Sequence, residues 1–261
     1  MKRYLIIFLC LLPIIVSGQE QEYFHGRAQL KSLIDIPTAG VNAKGDYDFE
    51  IRIFHDGGIL GGFAVGLFDR FSLGVYFGGT GIIGNDSDIE WNEFPGVLAK
   101  YRLIEESIFF PALAIGYSSQ GYGQYMTDST YVVESRYRIK ARGLFAVFSK
   151  NYMMMNTHQM GIHFGVNKNT FETEDDKDFN IFAGIDFGLN EELFLLCEYD
   201  LALDDNSDDA LGEGRGYLNM GVRWGFSDRF ALQFHFKDVL SNHRDTKTIE
   251  REIRLVYIES L

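Results

Sequence analysis

Asp46-Tyr47-Asp48-Phe49-Glu50-Ile51-Arg52-Ile53 decides the fold: every odd position is apolar and every even one is charged. A period of two belongs to a β-strand with one dry and one wet face, and no helix carries it. The alternation recurs along the chain. Phe71, Leu73, Val75 and Phe77 form one such apolar row, and Val97, Ala99, Tyr101 and Leu103 another. Phe179, Ile181, Ala183, Ile185 and Phe187 follow, then Leu218, Met220, Val222 and Trp224, then Phe230, Leu232, Phe234 and Phe236. The regular face is large and aliphatic or aromatic. The other face mixes Gly, small, aromatic and charged residues, which suits a crowded barrel lumen better than a solvated sandwich exterior. The expectation is an all-β protein, a single antiparallel up-and-down transmembrane β-barrel of about 12 strands with its apolar face in lipid.

Turn lengths point the same way. Strands are expected near 45–54, 60–68, 71–79, 96–104, 107–117, 135–149, 157–167, 178–188, 192–201, 215–225, 229–238 and 247–257. The turns Asp69-Arg70, Glu105-Glu106, Asn190-Glu191 and Ser227-Asp228 are short, whereas Ser118 to Glu134 and Ala202 to Gly214 are long and polar. Alternating short and long ends are the layout of an outer-membrane barrel with short periplasmic turns and longer outer loops. The short link His55 to Gly58 departs from that rule. An echo between Gly66-Leu67-Phe68-Asp69-Arg70-Phe71 and Gly225-Phe226-Ser227-Asp228-Arg229-Phe230 reads as hairpin punctuation.

Composition narrows the function. With a net charge of -13 the chain lacks the basic surface that nucleic acid requires, so no nucleic-acid partner is expected. Residues 1–18 read as a cleaved signal peptide: Lys2 and Arg3 precede an apolar run from Tyr4 to Val16, then Ser17 and Gly18. Cys10 falls in that leader, which leaves Cys197 alone, on a lipid-facing strand position. Residues 19–44 lack alternation and read as a periplasmic lead-in or an inward-folded plug, ahead of a barrel over 45–261.

The wet face places acids and bases together in the lumen. The expected charge network is Glu50 and Arg52, Lys100 and Arg102, Arg138, Lys140 and Arg142 on one strand, Glu198 and Asp200, Arg223, and Glu252 and Arg254. Unpaired charges in a narrow interior are costly, so pairing that plugs the barrel is the first reading. A narrow polar conduit, with Lys100, Arg102, Arg138, Lys140 and Arg142 as a basic arc, is the sharper alternative. Acids Glu172, Glu174, Asp175, Asp176 and Asp178, with Asp204, Asp205, Asp208 and Asp209, read as solvated loops. Their spacing is not that of a calcium-binding EF-hand loop, and no metal or cofactor is expected. No nucleophile elbow, zinc spacing or phosphate loop appears, so no enzyme and no catalytic residues are expected. Two further readings stay open. One is a soluble periplasmic barrel binding an apolar ligand, and the other is an outer-membrane hydrolase using the lumen-parity His163 or His235.

Leu33-Ile34-Asp35-Ile36-Pro37-Thr38-Ala39-Gly40, with Lys44-Gly45 before the first strand, resembles the opening of YjbH-like outer-membrane barrels. Glu198-Tyr199-Asp200 and Asn219-Met220-Gly221-Val222-Arg223-Trp224 are similar to later strands of that family. The resemblance covers the first motif and the region 193–225. It implies a lipid-embedded barrel linked to exopolysaccharide production or export, with polysaccharide or envelope-assembly proteins as partners, and it carries over no catalytic residues.

Overall fold

The computed structural model describes residues 29–84, 88–126, 136–154, 158–173, 176–208 and 210–260. The leader, residues 19–28, Glu174, Asp175 and Asp209 lie outside the described residues. Fifteen strands are found among them: β1 (Asp46–Phe54), β2 (Gly58–Phe68), β3 (Phe71–Thr80), β4 (Glu90–Trp91), β5 (Gly96–Ile104), β6 (Ala112–Ser118), β7 (Tyr122–Met126), β8 (Arg136–Ile139), β9 (Gly143–Met154), β10 (His158–Lys168), β11 (Asn180–Gly188), β12 (Leu193–Asp200), β13 (Tyr217–Trp224), β14 (Phe230–Lys237) and β15 (Glu250–Ser260). Twelve close into one antiparallel barrel, each pairing with its sequence neighbour in the wall; β4 only extends the tip of β3, and β7 and β8 form a hairpin of their own. Closure comes from β1 against β15, in a register running from Asp46↔Ser260 to Ile53↔Ile253. Full closure leaves the wall without a free edge, the condition for a sheet to sit in lipid.

The alternation sorts the side chains as expected. Phe49, Val75 and Phe234 face outward and are 48%, 52% and 45% exposed, while Asp48, Lys100, Asn180 and Gln233 point inward and are buried. A barrel holding an apolar ligand would need the reverse arrangement, with its apolar rows inward. The lumen glycines have a structural use. At Gly184 a Cβ would meet the side chains of Leu33 and Ile36, so its absence admits the chain segment that fills the barrel.

Two elements differ from expectation. The strand expected over 135–149 is two strands, because the chain turns between Ile139 and Gly143, where Gly143 adopts φ 63°. Arg138, Lys140 and Arg142 therefore do not form part of a wall strand: Arg138 lies on the β7–β8 hairpin, and Lys140 and Arg142 on the link that follows it. The stretch expected as a polar loop after β6 instead folds back over the lumen. Tyr122 is 6% exposed, and its hydroxyl donates toward Asp35 Oδ1 at 2.6 Å. The ring of Phe54 packs edge-on against Tyr122 at 5.1 Å.

Candidate functional site

Residues 29–44 run through the barrel with no strand ladder of their own, so their backbone groups must find other partners. Side chains of the wall supply them. The Glu198 carboxylate on β12 accepts the N–H groups of Ile34, Asp35 and Ile36 at 2.9, 2.9 and 3.1 Å, and the Asn219 amide at 2.8 Å. Lys100 on β5 donates to the carbonyls of Lys31, Thr38 and Gly40 at 2.7, 3.1 and 3.0 Å. Arg102 reaches Ala39 O at 3.0 Å and Glu105 at 2.9 Å. The N–H of Ala39 donates to Ser149 Oγ at 2.8 Å; Ser149 Oγ lies 2.8 Å from His163 Nδ1, and His163 Nε2 lies 2.9 Å from Asp186 Oδ1. Leu33, Ile34, Ile36 and Ala39 pack with Phe145, Val147 and Phe182 in a hydrophobic cluster inside the lumen.

Above this segment lies a knot of buried charge. Arg52 meets Asp35 at 2.8 Å, Glu50 at 3.5 Å and Glu252 at 3.5 Å. Arg254 lies 3.6 Å from Glu50 and 3.7 Å from Glu252, and donates to Leu33 O and Ile34 O. Lys237 reaches Asp35 at 2.6 Å, and His235 lies 2.9 Å from Glu252. Of the twelve expected residues, Glu50, Arg52, Glu252 and Arg254 thus share one cluster. Arg142 pairs separately with Asp200. Arg138 joins Glu250 at 2.7 Å and Asp245 in the cap, while Lys140 donates to the carbonyls of Asp176 and Asp204. Arg223 lines the lumen cavities lower down. Asp35, Lys31, Ser149 and Arg136 belong to the same polar interior and were not singled out by alternation.

The outer loops are less solvated than their acidity implied. Glu172, Asp204 and Asp205 are all buried. Glu172 accepts the N–H of Tyr137 at 3.1 Å, and Asp176 accepts those of Asn206 and Ser207 at 2.9 and 3.0 Å, which ties three loops into a lid. Among the described residues no group of three His, Cys, Asp or Glu is arranged to hold a metal ion. Burial opposes ionisation of Asp205, but the Arg136 guanidinium at 2.6 Å prevails and holds its carboxyl below the usual range. Asp204 goes the other way. Burial pushes it up to about 7; Lys140 opposes the rise, and Asp200 adds to it. Because its folded value exceeds the unfolded one of 3.8, Asp204 favours the closed lid fully below about pH 4 and loses that contribution as pH rises from there to about 7. Amide exchange in residues 201–208, corrected for intrinsic rates, should therefore quicken between about pH 4 and 7 and level off above that, and Asp204→Asn should abolish the dependence.

Three cavities follow one another past the central segment. A vestibule of 550 Å³ opens at the end of the short turns, between Glu105, Glu192 and Arg229. It shares Gln29, Leu30, Gly40 and Arg223 with a side chamber of 150 Å³. That chamber shares Asp35, Ile139, Lys140 and Arg142 with a pocket of 50 Å³ under the lid.

A closed barrel with an apolar exterior and a polar, charged interior is the fold of outer-membrane proteins. Residues 30–239 match the family YjbH, described as "Exopolysaccharide biosynthesis protein YbjH", and the chain belongs to that family. No curated protein matches it in sequence. Among solved structures, a KdgM porin aligns over 83% of this chain and 99% of its own, at 7% identity and a TM-score of 0.45. A NanC porin aligns over 82% and 99%, at 6% identity and 0.45. The translocator domain of the autotransporter NalP from Neisseria meningitidis aligns over 83% and 86%, at 11% identity and 0.36.

Proposed function

We propose that this protein is an outer-membrane conduit serving exopolysaccharide production or export, and that residues 29–44 are the plug that closes it in this conformation. A signal peptide over residues 1–18 would deliver it, and a barrel over 45–261 would sit in lipid. Membership of the exopolysaccharide family supplies the process. The run of cavities from vestibule to lid, separated only by side chains and the plug, is the observation that supports passage. A barrel built merely to be filled has no use for charged cavities ranged along its length.

Planar-bilayer recording tests this. The intact protein should show small or rare openings, and a variant lacking residues 29–42 should conduct steadily, with at least tenfold more open-channel current. If both are silent while folded and inserted, as judged by a boiling-dependent gel shift, the conduit reading fails and the lumen network is purely structural.

A further inference from the structure

The side chamber differs in charge from the chain that builds it. Seven cationic side chains line it against three carboxylates, Asp35, Asp48 and Glu50, in a protein of net charge -13. Some of that excess is offset by neighbouring carboxylates inside the lumen, where Glu252 faces Arg52 and Arg254, and Asp200 faces Arg142. Lys100 has only carbonyl oxygens as hydrogen-bond acceptors.

Polar atoms at the chamber also lack hydrogen bonds. Arg52 Nε and Arg254 Nε, on side chains that are 7% and 1% exposed as whole residues, make none, with the nearest carboxylates 3.5 and 3.6 Å away. Gln120 Oε1 is buried and likewise makes none. These atoms are enclosed against neighbouring protein, Gln120 Oε1 beside Gly96, so a ligand meets them only once these side chains turn into the chamber. The rest of the lining is apolar or aromatic, including Leu60, Leu98, Phe145 and the rings of Tyr76 and Tyr122. Planar guanidinium donors match a carboxylate, an amide acceptor suits a hydroxyl, and aromatic and aliphatic walls suit the C–H face of a ring.

We propose that this chamber is a binding subsite for a carboxylated sugar ring, that is, a uronic-acid unit of an anionic polysaccharide. The proposal rests on the reading of the barrel as a glycan conduit and names the class of glycan. Access is from the vestibule, past Gln29, Leu30 and Arg223, which line both spaces.

Titration calorimetry on the purified, detergent-folded barrel tests it with glucuronic acid, glucose and inorganic phosphate as probes. Glucuronate should bind at least tenfold more tightly than either of the others. Tyr76→Phe, which removes one hydroxyl from the chamber lining, should weaken glucuronate about fivefold, the worth of one hydrogen bond, and leave the fold intact. Gln120→Leu serves as a second probe and should weaken it similarly. Equal affinity for glucose, or phosphate binding as tight as glucuronate, overturns the proposal, as does glucuronate affinity unchanged in both variants. Bilayer recording separates the two ideas. Glucuronate affinity without conductance keeps the subsite and removes the conduit, and conductance without glucuronate affinity does the reverse.

Discussion

Arg254→Met will destabilise the barrel by about 3–5 kcal/mol, the range for removing one partner of a buried charge cluster. Arg254 is 1% exposed and stands between Glu50 and Glu252. Without it those two carboxylates face each other with Arg52 as their main remaining counter-charge, at 3.5 Å from each. The same side chain donates to the carbonyls of Leu33 and Ile34 and to Ser32 Oγ, so the plug loses three bonds as well. Urea unfolding of vesicle-refolded protein reads the loss as a lower midpoint at unchanged slope. Glu50→Gln added to Arg254→Met should recover part of it, because the excess negative charge is then relieved. A single-variant loss under about 1 kcal/mol, the range of exposed pairs, would mean that water screens the knot.

Much of this architecture is legible in the chain because a half-buried strand writes its environment every second residue. Phe49, Ile51 and Ile53 announce lipid, and Glu50 and Arg52 announce the lumen, with no knowledge of their partners. Short turns such as Asp69-Arg70 then fix which end is which. Two features escape that logic. Arg136-Tyr137-Arg138-Ile139 alternates as a wall strand does, so it merges by eye with β9; only Gly143 marks the break. The plug escapes for a different reason. Its backbone is bonded by side chains far away in sequence, Glu198 being 164 residues from Ile34, and such partners impose no period on the segment itself. The inward charges could be named from parity, but their pairing could not. Which of Glu50, Glu198 and Glu252 meets which cation depends on barrel register and on Asp35, which the plug brings in from outside the alternating pattern.

Glu198→Ala will release the plug while leaving the wall standing. The carboxylate is the shared acceptor of three consecutive N–H groups, of Ile34, Asp35 and Ile36, and no strand ladder stands ready to replace it. Charge-assisted bonds of this kind are worth about 1.5–3 kcal/mol each, and a buried donor left empty costs a further 1–3 kcal/mol. Relaxation and entering water recover part of that, so local opening of residues 33–37 should become easier by nearly 3 kcal/mol, which is about 100-fold in amide exchange. The strand amides of β1 and β15, which hold the barrel shut through their own ladder, should keep wild-type protection. The distribution of the effect is the informative part. If exchange quickens at 33–37 alone and single-channel openings become more frequent, Glu198 is the latch on a mobile plug. If protection falls around the whole barrel, the central segment is a core element whose loss unravels the wall, and gating by its movement is ruled out.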